Sequence, residues 1–136
     1  QVVHEVFLDE LYADAAARGL LDDVQNADAL ADSFVALRVL RLHNWRTLSR
    51  LSKGLEPGPE SSWVKLAWTD MTQHLSTTAL DLCGETAPLW RGARDAAADG
   101  RWQRQWLWSK AASIAGGTSE VQKNIISERL LGLPRG

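Results

Sequence analysis

Apolar positions recur along this chain every three or four residues, the interval that places them on one face of an α-helix. Val3, Phe7, Leu11 and Ala15, with Val6 and Leu8 beside them, form the first such stripe, and Arg18-Gly19 supplies a basic last turn followed by a glycine stop. The β-branched opening Val2-Val3-His4-Glu5-Val6-Phe7 also suits a strand, but the longer period favours a helix ending near Arg18. A polar turn through Asp22, Asp23 and Asn26 leads into a second, longer stripe. There Leu30, Phe34, Leu37, Leu48 and Leu51 keep a 4-3 spacing that passes through Arg41 and Asn44, the mark of a heptad seam. Ala31, Val35, Val39, Leu42 and Trp45 widen the apolar face, so this helix is expected to touch more than one neighbour inside a bundle.

Gly54-Leu55-Glu56-Pro57-Gly58-Pro59 ends the long helix, because proline lacks an amide donor and disfavours helical geometry in the residue before it. Ser61 or Ser62 is a candidate cap for a third helix, whose Val64, Trp68, Met71, Leu75, Thr78 and Leu82 again follow the 4-3 rule as far as Cys83-Gly84. This helix is expected to run antiparallel to its predecessor. Residues 85–100, with Pro88, Gly92 and an Asp-Ala-rich piece, read as a connector with room for one short helix. A further helix begins at Trp102 to Trp108 and breaks at Gly116-Gly117; Ser119 and Gln122 then suggest a capping box for a last helix through Leu131. No segment alternates convincingly as a strand and no repeat divides the chain. The expected architecture is one all-α domain over 1–136, an up-and-down antiparallel four-helix bundle.

Composition narrows the partners. In 136 residues, 45% are apolar and 24% charged, and the net charge is −2 with no basic stripe, so a nucleic-acid partner is not expected. No apolar run reaches the roughly 20 residues of a membrane-spanning helix, so no membrane insertion is expected. The single cysteine, Cys83, points to a reducing compartment, the cytoplasm. The chain opens on Gln1 and enters periodic sequence at once, which suggests that the protein continues upstream.

Most candidate chemistry reads as structure. His4, His43 and His74 fall at no metal-ligand spacing, and Cys83 sits at an apolar helix end that suits a buried, unreactive thiol. Carboxylate pairs such as Asp22-Asp23 suit solvated turns. Arg41 and Asn44 in the seam need partners once buried; structural specificity is the first role, and reaching a neighbouring subunit or a ligand phosphate the second. Trp45, Trp63, Trp68, Trp90, Trp102, Trp106 and Trp108 are expected as core or interface anchors. The strongest feature is Ala115-Gly116-Gly117-Thr118-Ser119-Glu120 at a helix start, where bare glycine backbone and the positive helix end favour an anionic or phosphate-bearing group. Taken alone, it is equally a simple break between two helices.

The run from Ser113 through Gly116-Gly117-Thr118-Ser119-Glu120 to Arg129-Leu130-Leu131-Gly132-Leu133-Pro134 closely resembles the C-terminal signature of acyl-CoA dehydrogenases. Residues 58–66 and 79–84 resemble the family's preceding helix, especially in its bacterial branch, so the likeness spans nearly the whole chain. The resemblance implies an FAD enzyme of lipid metabolism and fatty acid β-oxidation that removes the α proton and β hydride of an acyl-CoA, giving the trans-2-enoyl-CoA. Electrons then pass to an acceptor. It implies an N-terminal helical domain, a middle β domain and a C-terminal helical domain, the last carrying most contacts of a dimer or tetramer, homomeric or heteromeric. It also places Thr118 and Glu120 against FAD, with Gly116, Gly117 and Gly84 as further cofactor-binding positions.

Three departures qualify those expectations. Gly116 stands where many members carry their catalytic glutamate, so no catalytic residue is expected here and the base is expected upstream, Glu5 lying too close to Leu11 to match. Gln25-Asn26-Ala27-Asp28 replaces an Arg and Phe-Gly that meet a neighbouring flavin's pyrophosphate. Asp81-Leu82-Cys83-Gly84-Glu85 keeps only Gly84 of a Gln-x-x-Gly-Gly motif facing a neighbouring flavin's adenosine end. Beside the catalytic reading stand two others: a non-catalytic partner subunit of a mixed oligomer in this family, and a free-standing helical interaction module.

Overall fold

The structure, a computed structural model, describes residues 2–134 apart from Pro57 and Pro59, and nothing about the side chain of Glu60. Among these residues every regular element is helical. Five α-helices follow one another: α1 Val2–Ala17, α2 Val24–Ser52, α3 Glu60–Asp81, α4 Arg101–Ser109 and α5 Ser119–Ile125. Short 3-10 turns lie between α1 and α2 and between α3 and α4, α4 runs on into another at Lys110–Ser113, and α5 ends in a π-helical turn at Ile126–Leu130. Residues 2–17 are helix from the first turn, so the strand alternative for the opening falls away.

The core assembles from one face of each long helix. Phe7, Leu8, Leu11 and Ala15 of α1 meet Leu30, Leu37 and Leu40 of α2, Met71, Leu75, Ala79 and Leu82 of α3, and Trp102 of α4. The first stripe is thus rotated from its expected position. His4 takes the buried place at the top of α1, while Val3 and Val6 are exposed. The imidazole is accommodated because its Nε2 lies 2.9 Å from the Thr72 hydroxyl and its ring meets the Trp68 ring edge-on. In α2 the difference is larger. Only Leu30, Ser33, Leu37 and Leu40 are buried, whereas Phe34, Leu48 and Leu51 of the expected seam are exposed, as are Val35, Val39, Leu42 and Trp45 of the second stripe. The pattern correctly announces two apolar faces, and within this chain one of them has no cover.

Helices α2 and α3 are antiparallel: His43 stacks on Trp63 near one end, while Leu40 and Ala36 share a groove with Met71 and Ala67 further along. Thr69 donates to the Ala112 carbonyl at 3.1 Å, tying the segment after α4 to the middle of α3. Several caps differ from expectation. Asp23 caps α2 by accepting from the Gln25 amide at 2.8 Å. Helix α3 starts at Glu60, so Ser61 and Ser62 lie in its first turn and neither is the cap. The cap of α5 is Thr118, one residue before the expected Ser119, accepting from the Val121 amide. Gln122 turns instead to the preceding loop and donates to the Gly116 carbonyl at 2.9 Å.

The connector holds two 3-10 turns, Gly84–Thr86 and Ala97–Gly100. At Gly100 the backbone is left-handed (φ +74°), and a Cβ would fall 2.6 Å from the Arg91 amide nitrogen. Only glycine lets these two strands of the connector touch. Of the seven tryptophans, Trp102 alone is fully buried, at 2% exposure, packed edge-on against Phe7; Trp45, Trp90 and Trp108 are half exposed or more.

Candidate functional site

The loop between α4 and α5 and the first turn of α5 gather the strongest sequence signal at one place. Gly116 (φ +72°) and Gly117 (φ +98°) reverse the chain direction in the left-handed region, where a side chain is strained. A Cβ on Gly116 would point into open space, so its backbone is bare to an approaching ligand. A Cβ on Gly117 would press on the Gln122 amide at 2.8 Å, the group that fastens this loop to α5. Gly116 is exposed, and Gly117 and Thr118 are partly so.

Helix starts attract anions through free amides, but here the chain supplies its own. The exposed Glu120 carboxylate is held below its ordinary range by its own backbone amide and by the Thr118 hydroxyl, with the positive charges of Lys123 and Lys65 adding to the effect. Thr118 also caps the Val121 amide. Glu120 thus sets one negative charge of the chain's own at this helix start. Open to a ligand here are the bare backbone at 116–117 and the partly exposed Thr118 side chain.

Sequence reasoning passed over Lys65. Its stem lies along α3, its ammonium is shielded from solvent and has no hydrogen-bond partner, and its charge acts on Glu120 across the helix boundary. Nothing in its spacing marks it, because it is one lysine on a helix; only the packing of α3 against α5 brings it here. Bare backbone and a hydroxyl with a lone pair to spare fit an N–H edge of a flat heterocycle such as a flavin ring, with the shielded Lys65 ammonium adding positive charge nearby.

Gly84 is elsewhere. It is exposed, left-handed (φ +53°), and lies just past the far end of α3. From Lys65 to Asp81 that helix rises about 24 Å. Gly84 thus shares no site with Gly116, Gly117, Thr118 and Glu120 in this chain. The start of α2 is a third location. Asn26 is occupied in donating to the Leu20 carbonyl at 3.0 Å. Ala27 lines a cleft of about 370 Å³ between α1 and α2, with Leu8, Asp9, Tyr12, Leu30 and Phe34 among its walls and no Lys or Arg. A cation stands at its edge, the Arg38 guanidinium 4.8 Å over the Phe34 ring.

The other candidates settle into structure. Arg41 pairs with Glu5 at 3.3 Å and lies over the Trp45 ring, so the seam arginine joins α2 to α1. Cys83 is buried, its thiol donates to the Ala79 carbonyl at 3.2 Å, and burial pushes its pKa up.

Comparison with known proteins agrees with this arrangement. The family model described as "Acyl-CoA dehydrogenase, C-terminal domain" matches residues 5–131. The chain is 32% identical over 138 residues to the acyl-CoA dehydrogenase IpdE1 of Mycobacterium tuberculosis, covering 99% of this chain and 34% of that protein. It is 34% identical over 122 residues to the IpdE1 of Mycolicibacterium smegmatis, covering 89% of this chain and 29% of that one. The chain therefore spans about a third of the length of the curated relatives it matches. Among solved structures, one titled as the ChsE4-ChsE5 complex from Mycobacterium tuberculosis superposes with a TM-score of 0.84 at 29% identity, over 98% of this chain and 35% of that one. Another, titled Tcur3481-Tcur3483 steroid ACAD, superposes at 0.89 with 20% identity over the same shares, a likeness of fold. The helical architecture, the glycine-threonine turn at the head of α5 and the family match over residues 5–131 lead to one conclusion: the chain belongs to the acyl-CoA dehydrogenase family and corresponds to its C-terminal domain.

Proposed function

We propose that this chain is the C-terminal domain of a three-domain, FAD-dependent acyl-CoA dehydrogenase acting in the cytoplasm, which converts an acyl-CoA thioester to its trans-2-enoyl-CoA. The observation that carries the reading is the Gly116-Gly117-Thr118 turn, which presents bare backbone and one hydroxyl at the head of α5 beside the unpartnered Lys65 ammonium. FAD, when bound, would take the hydride from the substrate β carbon and hand its electrons to a separate acceptor. This chain's share is positional. Thr118 would orient the flavin edge, the absent side chain at Gly116 would let the ring approach the backbone, and Gln122 would hold the loop in register. Glu120, already ionised and tied to Thr118, would fix that hydroxyl's direction. The α proton needs a base from outside this segment, because a left-handed Gly116 offers no carboxylate.

Addition of acyl-CoA to the anaerobic full-length protein should bleach its flavin absorption. If the flavin neither bleaches with any acyl-CoA nor perturbs on binding one, the proposal fails.

A second reading rests on the same Gly116. A chain without a carboxylate there could serve as the non-catalytic member of a mixed oligomer, and the matching structures carry two-name titles. Bleaching that requires a co-purifying, sequence-distinct dehydrogenase chain would favour this second reading.

A further inference from the structure

Between the connector and the first turns of α4 lies a cleft of about 560 Å³, lined by Trp90, Arg91, Asp99, Gly100, Arg101 and Arg104 among others. Neither Gly84 nor residues 25–28 line it, so it is not the surface that the resemblance sets against a neighbouring flavin.

The wall at 98–100 is built at a conformational cost. Ala98 (φ +48°), Asp99 (φ +50°) and Gly100 (φ +74°) are left-handed in succession, and the first two carry side chains that this region disfavours. Such a turn persists only where its surroundings hold it. Asp99 supplies the hold: its Oδ1 accepts from the Gly92 amide at 2.9 Å, and its Oδ2 lies 3.6 Å from Arg91 Nε. One carboxylate thus closes the connector and sets Arg91 at the edge of the cleft. Arg101 is positioned separately, by its pairing with Glu10 of α1 and by its guanidinium 5.3 Å over the Trp102 ring. Arg104, one turn further along α4, is exposed and makes no hydrogen bond or ion pair among the described residues.

These groups suit the parts of one kind of molecule. The guanidinium forks of Arg101 and Arg104 match the oxygens of a phosphate, and Arg91 adds a third positive charge. Helix α4 starts at Gly100 without a side-chain cap, so its positive end opens on the same space. The half-exposed Trp90 indole offers a face on which a flat base can stack. Asp99 keeps lone pairs beyond its contacts with Gly92 and Arg91, and a carboxylate so placed can accept from ribose hydroxyls. An inorganic phosphate would use the arginines alone and meet the Asp99 charge with nothing to offer it. An apolar ligand would leave three guanidiniums without a partner of their own chemistry.

We infer that this cleft binds a nucleoside phosphate, with the phosphate on Arg101 and Arg104, the base on Trp90 and the ribose hydroxyls on Asp99. Two sources carry that chemistry, a free nucleotide and the nucleotide end of a coenzyme A thioester. The inference holds whether or not the protein turns over an acyl-CoA.

The test is calorimetric titration of ADP into the full-length protein as purified and into its Arg104→Gln and Trp90→Ala variants. ADP should bind at one site per chain and more weakly as salt rises. Each substitution should weaken it about tenfold, the scale of one charge-assisted hydrogen bond or one lost stack, and Arg104→Lys should keep part of the affinity. Circular dichroism on each variant separates lost binding from lost folding. The source is read from a second titration: if it is the thioester's own nucleotide, Arg104→Gln weakens binding of an acyl-CoA but not of the matching acyl-phosphopantetheine, and if it is a free nucleotide, acyl-CoA binds parent and variant alike. No saturable ADP binding, an ADP affinity unchanged in both variants, or ADP that binds only by displacing flavin would each overturn the inference.

Discussion

His4 shows how one buried polar side chain sets a pH limit. It occupies a core position, with Nε2 against Thr72 and Nδ1 shielded without a hydrogen-bond partner. Burial disfavours the charged imidazolium and lowers its pKa from the ordinary 6.5. The unfolded chain therefore binds more protons than the folded one as pH falls through the unfolded value, so stability drops over that window and levels off below the lowered folded value. Thermal unfolding followed from about pH 7.5 to 5 should show Tm falling with acid in the parent. His4→Gln should flatten that fall, and an unchanged slope would remove His4 as its source. Gly100 makes a second prediction at this scale. Gly100→Ala places a methyl on the Arg91 backbone in a left-handed conformation, and should destabilise by more than about 1 kcal/mol in denaturant unfolding, whereas Gly116→Ala meets open space and should cost only its backbone strain. The sequence names both glycines alike; only the fold distinguishes a backbone contact from a free turn.

At the scale of elements, the helices were legible and their neighbours were not. The 4-3 spacing locates α1, α2 and α3 because each must bury one face, and Met71, Leu75 and Leu82 are indeed that face of α3. Leu75→Ala, at 1% exposure, should cost about 3 kcal/mol and lower Tm by roughly 10 °C, while Leu48→Ala, on the uncovered face of α2, should leave the isolated domain's Tm nearly unchanged. Equal losses from the two would contradict the assignment of core and uncovered faces. Periodicity announced two apolar stripes on α2 but carries no information on which one faces the same chain. Cap positions slipped by a residue for a related reason. Ser119 and Thr118 are both good caps, and the choice falls to Thr118 because Gln122 is drawn away to the Gly116 carbonyl. Lys65 was unreadable for want of any local signal, since its meaning comes from the packing of α3 on α5.

At the scale of the whole molecule, one helical domain presents two distinct regions, a bare-backbone turn at the head of α5 and an uncovered face along α2. The glycine-threonine turn was legible as a motif and as a resemblance, whereas the Lys65 charge that acts on Glu120 there was not. Gly84, which the resemblance sets against a neighbouring subunit's flavin, lies exposed at the other end of α3. The central claim is that the head of α5 forms a wall of a flavin site. It is tested most directly by the FAD retained by the full-length protein and by its Thr118→Ala variant after gel filtration. The account predicts flavin bound to the parent and held about tenfold more weakly by the variant, the scale of one lost hydrogen bond, with Thr118→Ser near the parent. A parent that carries no flavin, or a Thr118→Ala protein that retains as much as the parent, would contradict it.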